Sequence, residues 1–341
     1  MPVGVPAGET GGSTASRRLD LTPFRVRNTW RGVAQLVVTG GLFVAGWWAM
    51  WASLSTGYWL SLLFAIPTAG MVVRLFVLQH DCGHGTMFQS QAANSAVGIA
   101  LSVITMTPYH CWRRQHANHH ATNGQLDHRG SGDVTTLTLD EYRRLPAWQR
   151  FGYRLYRNPL ILFGIGPIIY FALIQRLPWS VPATWKRERR SIHDTNILVL
   201  AACLAAAWAF GPLVFVQIHL PVLALAASIG TWLFFVQHQF EPTYWERDDE
   251  WDHTRAAVEG SSFLDLPEPL RWLTANIGYH HVHHLDSRIP NYALADCHAA
   301  HPTLQAARRL TLVEALRCAR LKLWDEAAQE LITFREAKRR L

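Results

Sequence analysis

Long apolar runs without a single Asp, Glu, Lys or Arg alternate along this chain with segments dense in Arg and His. Residues 32–54 form the first run, enough to cross a hydrocarbon core of about 30 Å, which takes roughly 20 helical residues. A polar break, Ser55-Thr-Gly-Tyr58, leads into a second run over 58–78. Arg74 interrupts it near its end, where a long side chain can snorkel to the interface. The two runs predict a helical hairpin, with Trp47, Trp48, Trp51 and Trp59 around its turn as an aromatic belt. Residues 94–109 and 159–175 are uncharged but short. Residues 195–240 leave room for two spans, joined near Gly211-Pro212 or near Leu220-Pro221.

Flanking charge decides which runs cross. Arg150, Arg154 and Arg157 precede 159–175, and Arg176, Lys186, Arg187, Arg189 and Arg190 follow it. Positive flanks on both sides conflict with the positive-inside bias. The expectation is therefore a re-entrant or interfacial segment at 159–175, and likewise at 94–109. Four spans remain, about 32–54, 58–78, 196–213 and 217–237. The N-tail, residues 80–195 and everything after 238 then share the cytoplasmic side, and both outer loops are tiny and free of Lys and Arg. The fold class expected is an all-α polytopic membrane protein whose cytoplasmic helical cap carries the chemistry.

Composition agrees. Of 341 residues, 49% are hydrophobic, 17% charged and 15 are Trp, which excludes disorder, collagen and coiled coil. The net charge of +7 and pI near 9.4 would suit nucleic acid, but the Arg residues cluster where apolar runs end, as anionic headgroups favour. No nucleic-acid partner is expected. Five Cys without CxxC spacing read as reduced thiols. Residues 1–29 read as a disordered cytoplasmic tail without a signal peptide.

The chain has 17 His, and their spacing carries the chemistry. His80 and His84 stand at i and i+4 at the end of the second span. His116, His119 and His120 occupy i, i+3 and i+4, and His280, His283 and His284 repeat that pattern. Residues three and four apart share a helix face, so each cluster is expected to aim its imidazoles at one point. His238 ends the last span as His80 ends the second. A zinc site takes three or four protein ligands, so eight or nine imidazoles imply two metals. Imidazole suits Fe, Cu, Ni and Zn alike, and no run of Glu-x-x-His appears. Imidazole ligands are oriented by nearby acceptors. Asp81, Asp127, Asp133 and Asp286 are candidates by adjacency, and Asn276, one turn before His280, by its face.

The strings His80-Asp-Cys-Gly-His84, His116-Ala-Asn-His119-His120 and His280-His-Val-His283-His284 resemble the three histidine boxes of the membrane fatty acid desaturases. Trp112-Arg-Arg-Gln-His116, Tyr153-Arg-Leu-Tyr-Arg-Asn-Pro159, Gln237-His238 and His284-Leu-Asp-Ser-Arg-Ile-Pro-Asn-Tyr292 resemble the Δ12/ω-6 acyl-lipid branch. The resemblance covers about residues 30–300. It implies a non-haem centre of two Fe ions that desaturates an acyl chain of a membrane lipid with O2 and two electrons, His238 being an additional ligand. No haem or flavin segment is visible, so the electrons are expected from an external donor, ferredoxin or a cytochrome b5-type carrier. Arg113 and Arg114 could hold an acidic headgroup, a thioester carrier or the redox partner, or anchor the chain at the interface. Residues 301–341 are expected to form one or two amphipathic cytoplasmic helices. Two alternatives stay open: a hydroxylase or ketolase with similar boxes, and a His-rich metal transporter.

Overall fold

Each long apolar run folds as one helix in the structure, a computed structural model that describes residues 19–130 and 133–340. Helix α1 (Thr29–Ser53) starts where the Asn28 side chain accepts the Arg31 amide at 3.0 Å, and α2 (Tyr58–His84) returns beside it. They pack closely: a Cβ on Gly46 would lie 2.4 Å from the Thr68 hydroxyl. Gly85, at φ +72°, ends α2 by donating its amide back to Asp81 and Cys82. Short α3 (Gln91–Thr105) lies against α2, and α4 (Tyr109–Thr122) leads away from it.

The second hairpin is α8 (Lys186–Phe210) and α9 (Pro212–His238). Its break falls at Gly211-Pro212. Gly211 takes a left-handed φ of +85°, and Pro212 opens α9 where its missing amide has no helical partner to lose. Pro221 sits inside α9. Among the described residues, four helices are thus long and apolar enough to cross a membrane. Helix α8 starts ten residues before its apolar run, because its charged first turns are helical too.

The two short runs behave differently. At 15 residues α3 is only about 22 Å long, less than the core thickness. Residues 159–175 are broken: a π-turn at Ile161–Ile165 precedes α7 (Gly166–Ala172), and this part meets the preceding helix at 59°. Arg74 does not snorkel. Its guanidinium is buried over the Trp272 ring and donates to Thr39, Gln35 and the Trp272 carbonyl, so it needs no water.

The cap at the histidine end is assembled from distant segments. After α4 come β1 (Leu137–Thr138), α5 (Leu139–Arg144) and α6 (Ala147–Tyr156); after α9 come α10 (His253–Val258), β2 (Phe263–Leu264), α11 (Glu268–Leu273), α12 (His280–Leu285) and α13 (Leu294–Ala300). The last forty residues are not one or two amphipathic helices. They hold α14 (Pro302–Gln305), β3 (Arg309–Leu310), α15 (Leu312–Arg317), β4 (Leu323–Asp325), β5 (Glu330–Ile332) and α16 (Phe334–Arg340). Strand β4 lies between β1 and β5, so Leu323 and Trp324 spend their backbone on two ladders and their side chains are fully buried. Of the expected N-terminal tail, residues 1–18 lie outside the described residues. The part from 19 packs on the cap: Leu21 is buried, Arg25 meets Asp286 at 2.6 Å, and the Asn28 amide donates to the Tyr292 hydroxyl.

Arg157 joins these segments. Fully buried, it donates to the carbonyls of Thr135 and Leu321, the Thr136 hydroxyl and the Gln239 side-chain oxygen. Arg157→Met would strand those acceptors, at about 1–3 kcal/mol for each one left buried without a donor. A lower thermal midpoint in detergent, with helical circular dichroism retained before the transition, is the expected outcome.

Candidate metal centre

Nine imidazoles meet where the second and fourth long helices end. One group comprises His80, His84, His116, His120 and His283; the other comprises His119, His238, His280 and His284. Within each group, one ring nitrogen per residue lies within 4.8 Å of all the others. His84, His116 and His120 are half-buried and the rest buried.

The helix does not aim each cluster at one point, as the i, i+3, i+4 spacing suggested. Consecutive helical residues point about 100° apart, so His119 and His120 diverge into different groups. His283 and His284 do the same on α12. Helix α4 gives two residues to the first group and one to the second, and α12 gives one and two. Each of these short helices therefore serves both groups.

Nitrogen spacing tests whether ions fit. Nε2 of His238 stands 3.1 Å from that of His119 and 2.9 Å from that of His280. Nε2 of His120 stands 3.1 Å from that of His116 and 3.0 Å from that of His283. Two nitrogens about 2.1 Å from one ion, at right angles to each other, lie about 3 Å apart. Nε2 of His80, His84 and His284 is buried without a hydrogen-bond partner. Burial first, then neighbouring imidazoles, hold His116, His120, His280, His283 and His284 well below the ordinary imidazole range. Neutral imidazoles with lone pairs facing inward are what a divalent cation requires.

The acceptors divide. Asp133 receives His119 Nδ1 in a short contact, and Asp81 lies 3.4 Å from His80 Nδ1. Two expected acceptors point elsewhere. Asp127 is taken by Arg247 and the Asp248 amide, and Asp286 by Arg25 and Arg288. Arginine outcompetes a neutral imidazole for a carboxylate because the bond is charge-assisted. Asn276 donates to the Asn291 carbonyl rather than meeting an imidazole.

Sequence reasoning missed three supports. Asn291 fixes Asp81 by donating from its amide at 2.9 Å and its side chain at 2.8 Å. The Gly260 carbonyl faces His238 Nδ1 at 3.3 Å, and a backbone acceptor leaves no side-chain signal. Trp112 stacks on His116 at 4.6 Å. Its place one turn before His116 was the signal. His281, inside the third box, turns away and pairs with His298 at 3.0 Å.

Beside the centre opens an apolar cavity of about 1310 Å³, bordered at its head by His80, His116, His119 and His280. A family model described as fatty acid desaturase matches residues 57–314. The chain belongs to the fatty acid desaturase family. It is 39% identical over 315 residues to a fatty acid desaturase of Bacillus subtilis, covering 92% of this chain and 89% of that one. It is 28% identical to an sn-1 acyl-lipid omega-3 desaturase (ferredoxin) of Synechocystis, over 74% of this chain and 69% of that one. An endoplasmic reticulum acyl-lipid omega-3 desaturase (cytochrome b5) of Arabidopsis thaliana is 26% identical, over 77% and 66%. This desaturase is therefore an oxidoreductase set in a membrane.

Two measurements test the centre. Asp133→Asn should lower the metal affinity of the desaturase about 10–100-fold, the usual effect of losing an outer-shell acceptor, while Asp127→Asn leaves bound metal unchanged by elemental analysis. In chelator-treated desaturase His116, His120, His280, His283 and His284 titrate below the unfolded value of about 6.5. Above that value both states are neutral and stability is full. Below it the unfolded chain takes up more protons, so stability falls with pH. The thermal midpoint should stay level above about pH 7 and drop steadily towards about pH 5.

Proposed function

We propose that the two histidine groups hold two iron ions and that the protein desaturates the acyl chain of a membrane lipid with O2. The observation that carries this reading is the pair of inward-facing imidazole groups at the head of an apolar cavity. His80, His84, His116, His120 and His283 would hold one ion, and His119, His238, His280 and His284 the other. Iron bound there supplies the reduction of O2 and the removal of hydrogen from an unactivated methylene, which no side chain can do.

The chain's own residues prepare that chemistry. Asp133 and Asp81 accept the outward Nδ1 protons of His119 and His80, keeping the opposite nitrogens free to bind. The Gly260 carbonyl does the same for His238. Trp112 fixes the His116 ring by stacking. The apolar cavity excludes water and holds the methylene pair near the centre. In the balanced reaction a CH2–CH2 unit becomes CH=CH. Its two hydrogens, with two external electrons and two protons, reduce O2 to two waters.

The finer assignment is a Δ12/ω-6-like position, for which the strings around the boxes speak. Electrons come from a separate carrier of the ferredoxin or cytochrome b5 kind, which the names of the Synechocystis and Arabidopsis relatives carry. The positive flanks of the spans favour a cytoplasmic centre and cytoplasmic termini, in the inner membrane of a bacterium-like host.

Expression in a host with a simple fatty-acid profile, followed by mass spectrometry with double-bond localisation, tests the reading. A new unsaturated acid, absent with His119→Ala, is the expected result. A hydroxy acid instead would make the protein a hydroxylase, and metal flux into vesicles without any lipid product would make it a transporter.

A further inference from the structure

The cavity extends far beyond the histidines. Its wall includes His80 at the histidine end of α2, and Trp47 and Phe210 at the opposite end of α1 and α8. At its head the buried Nε2 of His80 has no partner. At its foot the Trp47 and Phe210 rings stand 4.7 Å apart and bring the hairpins together. The walls between are mostly apolar, with Thr105, Gln175, His219 and Thr231 the polar exceptions, so the ester and headgroup of a lipid would lose most of their hydrogen bonds there. Only the methyl-side segment of an acyl chain fits without loss.

One helical glycine in that wall has no neighbour that explains it. Gly230 lies in α9, eight residues or about 12 Å along the axis from His238. A helix-interior glycine destabilises by about 0.5–1 kcal/mol relative to alanine, and a close helix contact commonly explains it. Gly46 has such a contact, with Thr68. Gly230 has none: a Cβ there would meet nothing within 4 Å, although the residue lines the cavity. The missing side chain leaves room for a ligand and not for a neighbouring helix.

Resting on the desaturase reading above, we propose that Gly230 gauges the substrate: its bare backbone admits the acyl segment on the methyl side of the reacting carbons, and Phe210 marks the far limit. A side chain at 230 shortens the space beyond the centre, and removing the Phe210 ring lengthens it.

The test uses full-length protein expressed with saturated acyl chains of graded length. Wild type, Gly230→Ala, Gly230→Leu and Phe210→Ala are compared by product chain length and double-bond position, with metal per protein as the folding readout. Gly230→Leu should lower the yield from the longest chain relative to the shortest by at least about tenfold, the lower end of what one methylene is worth in an apolar pocket. Gly230→Ala should fall between it and wild type, and Phe210→Ala should move the preference the other way. Unchanged product profiles in Gly230→Leu and Phe210→Ala, with wild-type metal content, would overturn the gauge. If Gly230→Leu loses its metal, the graded Gly230→Ala and the opposite shift in Phe210→Ala decide. Absence of any unsaturated product from wild type would instead overturn the desaturase reading.

Discussion

Nine imidazoles crowded into one largely buried space can share cations, but they cannot be protonated together. That constraint governs the rest of the structure. Ring nitrogens about 3 Å apart repel when both carry lone pairs and repel more strongly when both carry charge. The arrangement is consistent with burial, with depressed basicity and with outward nitrogens tied to Asp81, Asp133 and the Gly260 carbonyl. Each tie selects the tautomer that leaves the inward nitrogen free.

The frame answers the need for stiffness. Two helical hairpins bring His80, His84 and His238 to one end, where long helices are rigid and anchored by packing. The short α4 and α12 supply the other six and serve both groups, so neither group can shift without the other. Arg157 links the stretch just after Asp133, the residue after His238 and the strand-forming C-terminal segment. A buried cation bonded to four oxygens from three segments fixes their relative positions more tightly than apolar contact could. Apolar packing tolerates sliding, whereas a guanidinium has directional donors.

The four long helices were legible because hydropathy and flanking charge both report them. Eight of the nine histidines were legible from their spacing, and His238 from its place at the end of the last span. What stayed hidden was set by tertiary competition. Asp127 and Asp286 sit beside the boxes in sequence, yet Arg247 and Arg25 claim them from remote positions, and Arg288 claims Asp286 from two residues away. Arg74 read as an interfacial residue because nothing local reveals Thr39, Gln35 and the Trp272 carbonyl around it. Leu323 and Trp324 fit a helical pattern as well as a strand, and β1, far away in sequence, decided for the strand. The division of His119 from His120 follows from helix geometry alone and was legible in principle.

The parallel pairing of Leu137 with Leu323 has a consequence for biosynthesis. The segment that follows Asp133 is held by a strand that leaves the ribosome only after all four spans. At about 5–20 residues per second, roughly 10–50 s separate the appearance of His84 from that of Leu323. All four spans can be in the bilayer by then, while the histidines remain apart from the scaffold that orients them. Final ordering of the histidines therefore follows the synthesis of these strands, and a nascent chain stalled before them would be inserted in the membrane yet inactive.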